Sequence, residues 1–594
     1  MDWNNEVLAS LIWLGEAFVI SMLGLAVIFA GIGRFTKWGR QFRRISGSYF
    51  QPSHSKKPLA WLAVIVLFTL MSVRLNVLFS FWYNGFYSAM QELDAPAFWF
   101  MLVIFSILAT VHVARALINS YLRQAFMIHW RLWLTNSLIE TWLDRQGYYR
   151  TQFVRENADN PDQRIQQDAD NFVRSSLTLA MGLLDAIVSL FSFSIILWGL
   201  SGALEIFGVE LPRAMIFLGY LYVIVATVFA VRIGRPLISL AFLSEKFNAN
   251  FRYALVRLRE YGESIAFYRG EGVERKNLLD RFGSVIGNMW AILFRTLKFE
   301  GFNLAISQAA VVFPFIVQAP RMLSRQITLG DVMQTAQAFN QVQGALSFFR
   351  TSYEEFAGYR AVLSRLTGFL DSTESAMRLE SVSVKDTQRQ FAAASLTVRT
   401  PLDLLLIENL NFALAAKESL LIRGKSGAGK TSLLRAIAGL WPYVSGQVIR
   451  PDDQNTLFLP QKPYLPLGSL RDALHYPGMS EAGDRAAAVL NQCQLGHLVA
   501  RMDEKEDWTR ILSLGEQQRL AFGRILLSRP QVVFLDEATS AMDEGLEYAM
   551  HDLLRRQLPE VILISVGHRS SLLEFHTQQL HIMEEGKWEL LDIR

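Results

Sequence analysis

Eight consecutive residues, Gly424-Lys425-Ser426-Gly427-Ala428-Gly429-Lys430-Thr431, fit the pattern G-x-x-x-x-G-K-[ST]. Glycines at these places let backbone N–H groups curl around phosphate oxygens at a helix N-terminus. The Lys430 ammonium would reach the β and γ phosphates, the Thr431 hydroxyl would ligate Mg²⁺, and Ser432 follows in the first helical turn. Further along, Val532-Val533-Phe534-Leu535-Asp536-Glu537 ends an apolar run in two acids. Asp536 would hold Mg²⁺ through water and Glu537 would polarise an attacking water. The chemistry these residue types support together is hydrolysis of a nucleoside triphosphate.

Such residues need elements to place them. The loop follows the apolar run Ser419-Leu420-Leu421-Ile422 and precedes Ser432-Leu433-Leu434-Arg435-Ala436-Ile437-Ala438, a strand and then a helix. The run ending at Asp536 reads as a buried parallel strand, whose C-terminal end faces the crevice where ligands bind in such sheets. From about residue 395 onward, strands and helices alternate as in an α/β domain.

Further motifs lie in order. Leu512-Ser513-Leu514-Gly515-Glu516-Gln517-Gln518-Arg519 resembles the signature of the ATP-binding cassette (ABC) family, usually LSGGQ. Ser513 and Gly515 are kept, with Leu514 and Glu516 in place of Gly and Gln. Gln461 in Phe458-Leu459-Pro460-Gln461 resembles that family's Q-loop glutamine, Ser540-Ala541-Met542-Asp543 its D-loop, and His568 its switch histidine. The resemblance spans nearly all of 395–594. It implies that ATP and Mg²⁺ are the cofactors, that Glu537 and His568 are catalytic, and that Gln461 senses both nucleotide and metal. It also implies that Ser513, Gly515 and Glu516 cover ATP held by another copy of the chain. The early strand around Leu396-Thr397-Val398-Arg399-Thr400-Pro401 lacks the aromatic residue that usually stacks on adenine.

The chain has 594 residues, 51% hydrophobic and 19% charged, against roughly 25% charged in average soluble proteins. Its one cysteine, Cys493, excludes an intrachain disulfide framework. Spans of about 20 apolar residues are expected at roughly 8–33, 59–83, 97–120, 177–204, 212–236, 299–321 and, more weakly, 328–350. The segment after the first span carries Arg34, Lys37, Arg40, Arg43, Arg44, Lys56 and Lys57, whereas the loop near 84–96 has no Lys or Arg. Basic residues favour the cytoplasmic side, so the N-terminus is expected outside and the cassette in the cytoplasm. Arg321 and Arg325 run against that pattern. The long charged stretches at about 121–176 and 237–298 have helical periodicity, as if spans continued past the bilayer. Boundaries are expected at roughly 1–58 for an extra span with a basic segment, 59–370 for a permease, 371–394 for a linker and 395–594 for the cassette.

Glu16, Arg74, Asn76, His112, Arg115, Asp185 and Gln308 sit inside spans. Charges there are expensive and should face protein or water. Gln334, Gln337 and Gln341 share one face of the last span, which is expected to line a wet cavity.

Spans before a single cassette resemble an exporter-type half-transporter, a helical membrane bundle with six core spans plus an N-terminal one, followed by an α/β ATPase. Asn160-Pro161-Asp162-Gln163-Arg164-Ile165 and Glu263-Ser264-Ile265-Ala266-Phe267-Tyr268-Arg269-Gly270-Glu271 resemble loop motifs of the SbmA/BacA/YddA-like bacterial transporters and of the peroxisomal fatty-acyl transporters. The fused permease–ATPases of mycobacteria and related bacteria are similar along the whole length. That resemblance implies ATP-driven transport, with uptake of bulky hydrophilic solutes such as cobalamin or peptides, by a homodimer in the lipid of a bacterial inner membrane. A lipid or fatty-acyl transporter is the alternative, and a membrane receptor switched by ATP a third reading. The spans exclude a soluble nucleic-acid-binding member.

Overall fold

The computed structural model describes residues 3, 5–53, 55–154, 160–202, 204–206, 209–211, 213–386, 390–478 and 485–593. The chain divides into two compact units: Met1–Thr141 with Ala158–Asp371, and Trp142–Asn157 with Ser372–Arg594.

The first unit is helical: α1 Glu6–Phe35, α2 Lys37–Ser46, α3 Lys57–Glu92, α4 Ala95–Leu143, α5 Ala169–Leu200, α6 Ala214–Glu260, α7 Glu271–Leu323, α8 Leu329–Thr351 and α9 Tyr353–Met377, the last crossing into the second unit. Among the described residues, six helices are long and apolar enough to cross a membrane: α1, α3, α4, α6, α7 and the one that includes α5. The α8 segment is helical as expected but too polar to count among them. Helices α4, α6 and α7 run far beyond the apolar windows read from the sequence, which accounts for the charged stretches of helical period.

Polar contacts fix how these helices meet. The start of α8 is clamped to α3: Thr328 and Asp331 form a capping box, Asn84 donates to Asp331 Oδ1 (2.9 Å) and Gln334 Oε1 (2.8 Å), and Ser88 bonds Thr328 (3.1 Å). A Cβ on Gly330 would fall 2.2 Å from the Asn84 carbonyl oxygen, so only glycine permits this approach. Gln334 is therefore a packing residue, 3% exposed, and the expectation that it lines a wet cavity is corrected. Its amide was bought by Asn84, a partner that helical spacing alone does not reveal. Arg74 pairs with Glu6, receives further support from Ser10 (3.0 Å) and lies 5.6 Å from the Trp13 ring, which ties α1 to α3. Glu16 and Gln308 are exposed on this chain. The motif at 160–165 breaks at Asn160 (φ 51°) and leads to Asp168. That buried carboxylate takes a bidentate pair from Arg365 (2.8 and 2.6 Å) and a third bond from Arg164 (2.9 Å).

The second unit is built on two sheets, from β1 Ser383–Asp386, β2 Gln390–Arg399, β3 Leu405–Ala415, β4 Ser419–Gly424, β5 Val444–Arg450, β6 Thr456–Leu459, β7 Val532–Asp536, β8 Ile562–Val566, β9 Gln578–Ile582 and β10 Trp588–Asp592. The larger sheet has the order β10-β9-β4-β8-β7-β6, parallel except for β10. Its central strands are largely apolar and buried, as strands covered on both faces tend to be. The smaller sheet has the order β1-β5-β2-β3. Helices α10 Lys430–Ile437, α11 Leu514–Ser528 and α12 Glu544–Gln557 complete the core. Residues 142–154 fold with this unit: Phe153 meets Trp441 edge-on at 5.4 Å and Tyr443 at 6.1 Å.

Two histidines in this core set an acid limit. Burial pushes His551 down to about 3 and His576 down to about 4. The fold holds both neutral, while an unfolded chain binds protons near 6.5. Their contribution is complete above about pH 6.5 and declines as pH falls toward these lowered values. The cassette's melting temperature should therefore drop between pH 6.5 and 4, and His551→Leu should flatten that drop. A melting temperature that stays level across this window in the wild type would contradict the argument.

Candidate active site

The phosphate loop joins the C-terminal end of β4 to α10. Gly424, Gly427 and Gly429 adopt φ of 156°, 83° and 97°. A Cβ on Gly424 would lie 2.5 Å from the Ile582 carbonyl oxygen, so a side chain there is blocked by conformation and by space. Lys430 Nζ donates to the carbonyl oxygens of Gly424 (2.8 Å) and Lys425 (2.9 Å), folding the ammonium over the loop. Lys425 points away and pairs with Glu584 at 2.9 Å. Ser426 and Ala428 lie in the turn, and Thr431 and Ser432 open α10.

Asp536 ends β7 beside this loop. Burial, reinforced by the adjacent Glu537 carboxylate, raises its pKa, with Arg435, a hydrogen bond from Thr431, and Lys430 opposing. Glu537 sits at φ 50°, a left-handed conformation uncommon for glutamate. Its Oε2 accepts from Gln461 Nε2 (3.0 Å), and its Oε1 lies 3.5 Å from His568 Nε2. The fold thus brings Gln461, Glu537 and His568 together from three separate motifs.

Among the described residues no hydrogen bond joins the 513–516 segment to this chain's own phosphate loop. Ser513 caps α11: Glu516 Oε2 accepts from Ser513 Oγ (2.7 Å) and Ser513 N (2.9 Å), while His497 bonds Glu516 Oε1 (3.1 Å). Burial alone would raise the Glu516 pKa, but these bonds outweigh it and the net direction is down. Glu516 is thus a structural cap whose carboxylate replaces the usual amide. A Cβ on Gly515 would lie 2.9 Å from the Ala541 carbonyl oxygen, so this glycine lets α11 approach the 540–543 turn.

Sequence reasoning missed two residues. Gln518, fully buried, donates to the Gln461 carbonyl oxygen (2.8 Å) and Ser540 Oγ (3.2 Å) and accepts from Ala541 N (3.0 Å). It links the two loops that flank Glu537. Glu547 accepts from Thr539 (2.5 Å) and Ser571 (3.1 Å) and lies 3.4 Å from Arg569, joining the segment after Glu537 to the one after His568. Each sits on the buried face of its helix, α11 for Gln518 and α12 for Glu547, among other buried polar residues that mask the signal in sequence. On the early strand, Arg399 turns to Asp403 (3.3 Å), and exposed Leu402 and Leu404 follow it.

A phosphate loop on a parallel sheet, following apolar helices of spanning length, defines a membrane-bound nucleotide hydrolase. The comparisons are more specific. The family described as ABC transporter transmembrane region 2 matches residues 45–323, and the one described as ABC transporter matches 407–540. An uncharacterized ABC transporter ATP-binding protein of Haemophilus influenzae is 48% identical over 593 residues, covering 100% of both chains. The inner membrane ABC transporter ATP-binding protein YddA of Escherichia coli is 31% identical, over 87% of this chain and 92% of its own. Among solved structures, a bacterial Atm1-family ABC exporter with ATP bound has a TM-score of 0.70 at 16% identity, covering 90% of this chain and 95% of the other. The chain belongs to the ABC transporter family. It is a half-transporter with fused membrane and ATPase domains that binds ATP and couples its hydrolysis to transport.

Two substitutions probe the site. Glu537→Gln should lower ATP turnover by about 10²-fold or more while leaving nucleotide binding intact, read by steady-state ATPase and by retention of labelled ATP. Gln518→Leu strands buried partners on both loops and should destabilise the cassette by about 1–3 kcal/mol. ATPase activity should fall with it, and unchanged stability and turnover would remove Gln518 from the role of linker.

Proposed function

We propose that this chain works as a homodimer in a bacterial inner membrane, N-terminus outside and cassette inside, and takes up bulky hydrophilic solutes. The observation that carries the dimer is the separation within one cassette. The phosphate loop and the Glu537 cluster are assembled, but among the described residues Ser513, Gly515 and Glu516 make no hydrogen bond to them. A second copy related by a two-fold axis would supply those residues to each ATP.

Mg²⁺ fits the donors present. Thr431 hydroxyl, Asp536 carboxylate and Gln461 amide oxygens are hard ligands, and Asp536 is a half-buried acid beside a second acid. The ion would offset charge on the phosphates. Glu537 is then placed to accept a proton from the attacking water, with His568 on its other oxygen. Gln461, bonded to Glu537 and anchored through Gln518, would relay nucleotide state to the rest of the cassette. The solute class rests on the resemblance of the loop motifs at 160–165 and 263–271 to the SbmA/BacA/YddA-like transporters, a resemblance that the fatty-acyl transporters share.

Cobalamin accumulation tests the proposal, in cells lacking other uptake routes and carrying either the wild type or Glu537→Gln. Accumulation with the wild type alone is the expected result. None, with ATPase activity verified in parallel, would overturn cobalamin as a substrate. ATPase stimulation by an acyl-CoA would then favour the fatty-acyl reading.

A further inference from the structure

The helices of the first unit enclose a charge imbalance. Along one face of α4, residues 112, 115, 119 and 123 recur at helical spacing and turn inward. Arg115 is 8% exposed, and its Nη1 donates to the Phe68 carbonyl oxygen (3.3 Å). Arg123 Nη2 donates to Thr69 Oγ1 (3.0 Å). Phe68 and Thr69 are neighbours on α3, so the two guanidinium groups converge although their backbones lie about 12 Å apart along the helix. Asp185 on α5 acts electrostatically on both. The sum is two positive charges against one negative.

Burial makes this costly to leave. The apolar stretch of α4 gives out near residue 120, just before Arg123, so the cluster lies toward one edge of the hydrocarbon core. Unpaired charge there is unfavourable, and residues that carry it are commonly functional. Arg115 Nε, Arg123 Nε, His112 Nδ1 and Asn119 Oδ1 are all buried and make no hydrogen bond among the described residues. Three of the four atoms are nitrogens, the kind of atom that can donate to an anion.

We propose that this cluster is a binding site for an anionic group, a phosphate or carboxylate, with Arg115 and Arg123 as its ligands and Asp185 as a counter-charge that keeps the affinity moderate. It rests on the transport reading and narrows it: the bulky solute would carry a negative group that enters here. A lipid headgroup offers the same chemistry from the membrane side.

Thermal stability of the full-length dimer in a neutral detergent tests this, with ADP held saturating so that the cassettes' phosphate loops are filled. The probes are two pairs that differ in charge: flavin mononucleotide against riboflavin, and phosphatidylglycerol against phosphatidylcholine. At least one anionic member should raise the wild-type melting temperature by roughly 2 °C or more above its neutral counterpart. Asp185→Asn should enlarge that difference, which a merely structural ion pair would not do, and Arg123→Gln should abolish it. Selectivity for the nucleotide identifies a soluble source and selectivity for the lipid a headgroup. Equal shifts within both pairs, or a selective shift that survives Arg123→Gln, would overturn the site. ATP-driven uptake, measured alongside, separates the two readings. Uptake without anion selectivity removes the site and leaves the transporter. Anion selectivity without uptake does the reverse.

Discussion

The Glu537 carboxylate has to stand one residue beyond a buried strand, in a backbone conformation that glutamate seldom adopts, with Gln461 donating to one oxygen and His568 3.5 Å from the other. Much of the cassette can be read as the means of keeping it there. The parallel strands β7 and β8 set its height. The 461 loop and the 568 segment supply its two neighbours. Gln518 and Glu547 hold those segments to one another through buried hydrogen bonds. A carboxylate so placed does not need to reorganise when charge develops, which is how preorganised sites lower barriers.

The membrane unit solves a different problem with the same means. Polar side chains are expensive to leave among lipid chains, and several of them join one helix to another. Asn84 and Asp331 join α3 to α8. Glu6 and Arg74 hold the additional N-terminal helix against the bundle. Asp168 gathers arginines from its own segment and from α9. These contacts give packing helices a defined register that apolar surfaces alone would leave loose.

Local, contiguous features were readable from the chain. The phosphate loop, the acids after β7 and the apolar spans each place their physical requirement within a few residues of sequence. Contacts that depend on the fold were not. Nothing near Gln518 announces that it bridges 461 and 540–541, since those partners lie far away in sequence. Gln334 carried a helical pattern that fitted a wet face equally well, until Asn84 of another helix is seen to use its amide. Glu516 read as a departure from a motif, yet its carboxylate completes a capping box with Ser513 that the usual glutamine could also form.

The stretch 142–154 lies within the permease part of the sequence but packs with the ATPase unit, placing Phe153 against Trp441 and Tyr443. The ATPase body is therefore discontinuous in the chain. A fragment cut at the apparent boundary near residue 372 would uncover an aromatic seat that this stretch normally fills, and would gain a sticky surface. Insertions or fusions that are harmless at an ordinary linker would there separate two pieces of one folded body.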